Sequence, residues 1–323
     1  IAAMPYNNLD LENATHKTLG GNVTVNGSLT VGSGATLDGG SDLGSPNTLT
    51  ITSSGDAVSF NGKFNAGTST VAFTSTESTN VPAMPYYNLS LGNGPRILSS
   101  MGTTGIAGSL TSSSSNVTVT GSTVEFNGTS EQTVSAFTFN NLRINNRAGV
   151  TMNGDVTVNH QLVLGDGILT TNANQLHVTN PSSSAVSGGS ATSYVEGALT
   201  WNMPSHSDGS DLSTIYLFPV GVSGQGYYPL SLSALTTDDN PEVSVLLKTG
   251  WVSMDGVDKI LNGLYWGVAG NGDYNSGSVS LKNPDDFNVV VYYETEDGTP
   301  QSKGGSNVDG TMLRATAAGS GFY

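Results

Sequence analysis

The feature that most constrains the fold of this chain is its internal repetition. The segment MPYNNLDL at residues 4–11 recurs as MPYYNLSL at 84–91 and as FTFNNLRI at 137–144. Two of these copies follow a Phe-Asn-Gly segment, at 60–62 and 126–128. Repetition of this kind is typical of architectures that stack one structural unit on the next.

The segments between the turns predict short strands. VTV at 23–25 and LTI at 49–51 place aliphatic side chains on one face and Thr on the other. Asn-Gly pairs suit the positive φ of tight turns and occur at 26–27, 61–62, 127–128 and 153–154. The uneven spacing of the motif copies favours a solenoid, because a coil is added more easily than a sandwich strand. We therefore predict an all-β chain whose residues 1–185 form a parallel β-helix-like β-solenoid stalk without long helices. A meander sandwich is the alternative.

Side chains at fixed places in the repeat are expected to have fixed environments. Aromatic side chains are predicted to point into the solenoid interior at Phe60, Tyr86, Phe126 and Phe139. The motif asparagines are candidates for stacked ladders at internal turns, namely Asn7, Asn8, Asn88, Asn140 and Asn141. The alternative is that Asn simply suits turns.

The composition changes near residue 181, where a stretch rich in Ser and Gly has the character of a linker. All three tryptophans and nine of the 12 tyrosines lie beyond it. The predicted strands there are longer and carry larger side chains, at 216–220, 228–232, 243–247, 263–268 and 288–293. These features predict a second domain at residues 190–323, a Trp- and Tyr-rich β-sandwich.

Charge and cysteine content exclude several classes of function. The chain carries 10 Lys and Arg against 25 Asp and Glu, a net charge of −15, which disfavours binding to nucleic acid and to anionic membranes. Cysteine is absent, and no apolar run is long enough to insert into a membrane. The chain begins with Ile1 rather than Met, so we expect it to be processed or part of a longer protein.

Catalytic and metal-binding patterns are not recognisable in the sequence. The four histidines, at 16, 160, 177 and 206, are not spaced as metal ligands, and we expect them at the surface or in turns. A polysaccharide lyase or hydrolase would need convergent carboxylates, or a base with an Arg. The closest aspartates of the repeat region, Asp38 and Asp42, read as a turn, and its arginines are Arg96, Arg143 and Arg147. We therefore assign no catalytic, cofactor-binding or metal-binding residue, and we expect no enzymatic activity.

Ligand binding is a more open question than catalysis. Calcium prefers clustered oxygen ligands, and acidic loops lie at 238–240, 285–286 and 294–298; solvated turns are the alternative interpretation. Tyr227, Tyr228 and Trp251 are candidates for a sugar platform, although adjacent tyrosines of a strand point to opposite faces. Thr-x-Thr pairs, at 48–50, 74–76 and 118–120, lack a constant period, so no continuous ice-binding array is expected.

Residues 126–158 resemble a repeat of large Bacteroidota surface proteins that are exported by the type IX secretion system. In those proteins the repeat is followed by segments like SYVEGAL at 193–199, FPVG at 218–221 and YYPL at 227–230. The resemblance covers roughly residues 1–235. It implies an extracellular, often adhesive or structural protein without family-wide catalytic residues. The C-terminal sorting domain of such exports is not recognisable here.

The sequence thus favours a non-enzymatic structural or adhesive protein at the bacterial cell surface. Self-association into a head-to-tail filament is predicted to use strand edges at residues 1–11 or 311–323. Surface glycans are the other candidate partner. A carbohydrate-binding protein, or a polysaccharide-degrading enzyme on the β-helix, is the alternative function.

Overall fold

The computed structural model is built from strands and turns. It describes residues 1–40, 46–114, 116–211, 213–250, 263–271, 274–284, 287, 290–292, 301–307, 312–315 and 321–323. No helix occurs among these residues, so the predicted absence of long helices is confirmed there. None of the described segments is a helix that is long and apolar enough to cross a membrane. The chain divides into two compact units, residues 1–148 and 149–323.

Short strands make up the first unit. They are Pro5–Tyr6 (β1), Leu9–Leu11 (β2), His16–Thr18 (β3), Val23–Val25 (β4), Leu29–Val31 (β5), Thr36–Asp38 (β6), Thr48–Ile51 (β7), Val58–Phe60 (β8), Lys63–Asn65 (β9), Thr70–Phe73 (β10), Thr79–Val81 (β11), Pro85–Tyr86 (β12), Asn88–Leu91 (β13), Arg96–Leu98 (β14), Thr104–Ile106 (β15), Leu110–Ser112 (β16), Val117–Thr118 (β17), Thr123–Phe126 (β18) and Gln132–Asn145 (β19).

The strands of the first unit pair in parallel from one coil to the next, which confirms the β-solenoid. The sheet orders are β1-β4-β7-β10-β13-β16, β2-β5-β8, β3-β6-β9, β11-β14-β17 and β12-β15-β18-β19. Equivalent aliphatic side chains stack in buried columns, of which one contains Val23, Leu49, Val71, Leu89 and Leu110. The meander sandwich does not describe this unit, because its strand pairs are parallel.

The repeated Asn-Leu motif does not mark one fixed place in the coil. Leu9 lies in β2, Leu89 in β13 and Leu142 in β19, and these strands belong to three different sheets. The motif asparagines therefore do not stack on one another, and the predicted Asn ladder is wrong. The motif places an amide side chain directly before an inward-facing Leu. Strands of different sheets can use this arrangement, so the motif does not specify one sheet.

The motif asparagine instead links adjacent coils. Asn8 Oδ1 accepts a hydrogen bond from the Ser28 main-chain N–H at 2.9 Å, and Asn88 Oδ1 accepts one from Ser109 N–H at 3.0 Å. Asn22 outside the motif does the same for Thr48 N–H at 2.8 Å. Each accepting side chain directly precedes an inward-facing aliphatic residue. Such bonds hold the turn between coils where strand pairing has not yet begun.

Three of the four predicted interior aromatics are buried. Tyr86, Phe126 and Phe139 are at most 1% exposed, which confirms the prediction for them. Phe60 aligns with the buried Val31 of the preceding coil, so its side chain faces inward as predicted, but it is only partly buried. Phe60 ends β8, the last strand of its three-stranded sheet, and no further coil of that sheet covers it. Its ring packs on Phe64 at a centroid distance of 5.6 Å.

The second unit contains longer strands. They are Val150–Asp166 (β20), Leu169–Thr170 (β21), Leu176–Val178 (β22), Val186–Gly188 (β23), Val195–Glu196 (β24), Leu199–Asn202 (β25), Ser207–Asp208 (β26), Ile215–Phe218 (β27), Val220–Val222 (β28), Gly226–Tyr227 (β29), Leu230–Thr237 (β30), Glu242–Thr249 (β31), Leu264–Asn271 (β32), Tyr274–Lys282 (β33), Val291–Tyr292 (β34), Gln301–Ser302 (β35), Ser306–Asn307 (β36), Met312–Ala315 (β37) and Gly321–Phe322 (β38).

Parallel coils continue in the first part of this unit. β20 pairs in parallel with β21, β22 and β23, and β22 pairs with β25. Parallel pairing extends to β24 and β28, past the linker-like stretch near residue 181. The predicted domain boundary between residues 185 and 190 stays a prediction.

Pairing becomes antiparallel at β25, which has β22 on one side and β31 on the other. The strands β25, β31, β32 and β38 follow one another in order, and β30 lies between β33 and the strands β26 and β27.

The predicted strands near 216, 230, 245 and 265 are observed. For the one at 288–293 only residues 290–292 are described, and 291–292 form β34.

The segment 311–323, predicted as an edge for self-association, contains a strand that pairs within the chain. Met312–Ala315 pairs with β33 on one side and with β36 on the other. The pairing with β36 involves only residues 313–314, and self-association through residues 311–323 stays a prediction. Residues 311 and 316–320 lie outside the described residues.

Candidate functional site

The outward face of the six-stranded sheet in the first unit carries no charged side chain over five coils. We call this surface the uncharged face and define it by the outward residues of β4, β7, β10, β13 and β16. They are Thr24, Thr48, Thr50, Thr70, Ala72, Asn88, Ser90 and Thr111. Parallel pairing sets them in columns at about 4.8 Å from coil to coil.

The Thr-x-Thr pair at 48–50 is not repeated in the neighbouring coils, where Ala72, Asn88 and Ser90 occupy the equivalent positions. Thr48 and Thr50 align with Thr70 and Thr24 of neighbouring coils although the sequence spacing varies. The variation lies in the turns, whereas the strands stay in register. The pairs at 74–76 and 118–120 lie outside these columns, because 74–76 is in a turn and only Thr118 of the other pair is in a strand, β17.

A polar groove adjoins the uncharged face at the turns that follow β4, β7 and β10. We call it the polar notch. Its volume is about 750 Å³, and residues 26–28, 52–54, 56–57 and 74–77 line it. The notch forms because residues 52–57 separate β7 from β8, whereas only residues 26–28 separate β4 from β5. The longer middle turn leaves a recess between adjacent coils.

Hydrogen bonds fix the rim of the notch. Thr52 Oγ1 donates to Asn26 Oδ1 at 2.8 Å, and the Ser53 hydroxyl donates to the Gly27 carbonyl. The Asn80 amide donates to the Asp56 carboxylate. Backbone pairing adds a bond from Gly55 N–H to the Ser78 carbonyl at 2.8 Å. The three turns are therefore tied to one another rather than left as independent loops.

A buried arginine supports the floor of the notch from inside the solenoid. Arg96 is fully buried, and its Nη2 donates to the carbonyls of Phe73 at 2.8 Å and Ser75 at 2.7 Å. Its Nη1 donates to the Glu77 carbonyl at 3.3 Å. Burial lowers the pKa of the guanidinium from its usual value. The Phe73 carbonyl also accepts from Gly92 N–H at 2.9 Å, so the Arg96 side chain adds a second donor there and supplies the donor for the Ser75 carbonyl.

Several polar groups in the notch remain available to a ligand. The hydroxyls of Ser28, Ser54 and Thr76 and the carboxylate of Glu77 make no hydrogen bond to any residue that the structure describes. Ser54, Thr76 and Glu77 are exposed. No local sequence pattern predicts this site, because its residues come from three turns with different lengths.

The histidines do not form a metal site. His16 is exposed and hydrogen-bonds to the Asp38 carboxylate, and His160 and His206 are exposed as well. His177 is partly buried, with its Nε2 2.6 Å from Asn202 Oδ1. Partial burial raises the pKa of Asp38, but hydrogen bonds from His16, Asn65 and Thr18 outweigh it and lower the pKa overall.

No calcium site is visible in the described part of the chain. No three His, Asp or Glu side chains among the described residues are grouped so as to bind a metal ion. The acidic loop at 238–240 is exposed, and the loops at 285–286 and 294–298 lie outside the described residues.

The residues weighed for polysaccharide cleavage are not brought together. Arg96 is buried against carbonyls, whereas Arg143 pairs with Glu125 at 3.2 Å. Arg147 is exposed on a turn after β19. Asp42, the second aspartate of the closest pair, lies outside the described residues.

The predicted sugar platform is not a flat exposed pair. Tyr228 is 8% exposed, and its ring lies 4.4 Å from Lys282 Nζ and 6.4 Å from the ring of Trp266. Tyr227 is partly buried and stacks on Tyr194 at 6.4 Å. One of the adjacent tyrosines is thus in the core, as alternation predicted, and Trp251 lies outside the described residues.

The chain matches no protein-family model, no curated protein and no solved structure.

Proposed function

We propose that this protein is a non-enzymatic, extracellular structural or adhesive protein that presents the uncharged face on a rigid coil stack. The observation that carries the proposal is the ordered array of uncharged side chains on a chain with a net charge of −15. Keeping one face free of charge favours contact with a neutral, repetitive surface. Parallel main-chain pairing between coils gives the stalk its stiffness.

The position of Arg96 argues against cleavage of an acidic polysaccharide at the notch. Cleavage of an acidic polysaccharide needs an accessible cation beside a base, and Arg96 is enclosed by carbonyls. The carboxylates of Asp56 and Glu77 in the notch have no neighbouring histidine or arginine side chain among the residues that line it.

We also propose that the antiparallel strands of the second unit form a β-sandwich within the predicted domain at 190–323. The ring of Trp201 on β25 lies 5.2 Å from Tyr216 and 5.4 Å from Phe218, both on β27 of the other antiparallel sheet. Trp266 on β32 donates its Nε1–H to the Tyr228 carbonyl at 2.8 Å. These contacts support face-to-face packing of the two sheets.

The proposal is tested by adhesion and by assays for cleavage. Purified protein is incubated with insoluble cellulose, chitin, xylan and intact bacterial cells, and bound protein and released reducing sugar are both measured. We expect retention on at least one surface and no sugar release. Retention on none of them would overturn the adhesive role, and sugar release would overturn the non-enzymatic one.

Location and assembly are tested on the native protein. Export to the bacterial cell surface, which the resemblance to type IX cargo implies, predicts labelling of intact cells by an antibody to the chain. Filament formation through residues 1–11 or 311–323 stays a prediction, and negative-stain microscopy with sizing measures it. A monodisperse monomer at high concentration would contradict the filament.

A further inference from the structure

The polar notch combines free hydroxyls with carboxylates in one recess. A ligand that uses these groups must donate to the Glu77 carboxylate, and it can accept from, or donate to, the hydroxyls of Ser54 and Thr76. Sugar hydroxyls do both. The volume of about 750 Å³ falls within the range of small-ligand sites.

Charge limits the class of ligand further. The residues that line the notch include no Lys, Arg or His, and they include the carboxylates of Asp56 and Glu77. A phosphate, sulfate or uronate would therefore meet repulsion without a compensating cation. A metal ion is disfavoured as well, since the described residues provide no group of three candidate ligands.

The notch is also held in place before any ligand arrives. Arg96 anchors the carbonyls of Phe73, Ser75 and Glu77 from below, and the rim bonds of Thr52 and Asn80 tie the turns together. A prearranged site avoids the entropic cost of ordering loops on binding.

From these observations we infer that the polar notch binds a neutral glycan directly. Glu77 accepts hydrogen bonds from the sugar hydroxyls, and Ser54 and Thr76 donate to sugar oxygens. Thr52 and Thr74 line the notch and continue the outward alternation of β7 and β10, so a longer glycan extends onto the uncharged face. This inference rests on the proposed adhesive function and assigns its ligand class.

The test is titration calorimetry of the full chain with cellotriose, maltotriose, xylotriose, chitotriose and, for comparison, trigalacturonate. We expect one or more neutral trisaccharides to bind and trigalacturonate not to bind. Glu77→Gln and Thr76→Val should each weaken binding at least tenfold. Glu12→Gln is the matched control, because it makes the same charge change at an exposed position in the turn after β2. It should leave binding unchanged.

The outcomes separate this inference from the adhesive role. Adhesion to an insoluble surface that Glu77→Gln leaves intact would overturn the notch assignment while the adhesive function stands. Absence of adhesion by the parent chain would overturn the adhesive function itself. Binding of trigalacturonate alone, binding of none of the five sugars, or binding abolished by a chelator and restored by calcium would overturn direct recognition of a neutral glycan.

Discussion

The coils of residues 1–148 and the antiparallel strands after residue 199 stabilise β-structure in different ways. In the coils, like residues stack in columns, and polar side chains such as Asn88 and Arg96 satisfy the turns. In the antiparallel region, aromatic side chains from different strands pack on one another, as Trp201 does on Phe218. Stacking tolerates turns of different length, whereas aromatic packing needs one fitted arrangement.

Because of this difference, the turns of the coils can vary in length and form binding sites without disturbing the packing. A turn that lengthens by a few residues leaves the neighbouring columns in register, and the recess it creates is the polar notch. A comparable insertion between β30 and its partners would move residues whose two faces are both buried. The following substitutions test the comparison, from the largest expected effect to the smallest.

Truncating the aromatic core of the second unit should have the largest effect. Trp201→Ala should lower the free energy of unfolding by about 3–5 kcal/mol, because a fully buried indole leaves a cavity. Denaturant unfolding followed by circular dichroism measures it. Ile215→Ala is the control on neighbouring β27, where the side chain is 47% exposed, and it should change stability by less than about 0.5 kcal/mol. A small effect of the Trp201 change would argue against a fitted aromatic core.

Substitutions at Phe126 and Phe60 compare a fully buried phenylalanine with a partly buried one at the end of its sheet. Phe126→Ala should cost about 3–4 kcal/mol, because Phe126 is fully buried. Phe60→Ala should cost less than half as much, because Phe60 is only partly buried on the last strand of its sheet. Thermal unfolding by calorimetry compares the two variants with the parent. Equal losses would show that coverage by the next coil does not control burial.

Replacing Arg96 tests whether hydrogen bonds from its buried guanidinium to main-chain carbonyls stabilise the coils. Arg96→Met should lower stability by about 2–3 kcal/mol, because the Ser75 carbonyl loses its donor and the Phe73 carbonyl keeps only Gly92 N–H, while the cost of burying a charge is relieved. Arg96→Lys should recover only part of this loss, since an ammonium lacks the planar fork. Arg147→Met, at an exposed position, is the control. An Arg96→Met variant that is as stable as the parent would contradict a stabilising role of these hydrogen bonds.

The bridge between coils should have the smallest effect. Asn88→Ala removes the acceptor of Ser109 N–H and should cost about 1 kcal/mol. Asn93→Ala is the control, because Asn93 is exposed in the following turn. Amide hydrogen exchange should show faster exchange at Ser109 in the first variant only. Unchanged exchange there would mean that the strand pairing alone holds the turn.

The sequence by itself determined the class of fold and much of the interior. Alternation of aliphatic residues with Thr in segments such as 23–25 and 49–51 dictates strands with one buried face, and Asn-Gly pairs dictate turns. These signals are local, because each depends on backbone geometry within a few residues. The burial of Tyr86, Phe126 and Phe139 followed from the same pattern.

Only the tertiary structure decided which residues meet across coils. The turn lengths vary, so the sequence distance between stacked residues is not constant, and Thr24, Thr50 and Ser90 align only once the strands are paired. The exposure of Phe60 depends on where a sheet stops, and the polar notch depends on three turns that are far apart in the chain. Such contacts are set by long-range register, which no local pattern encodes.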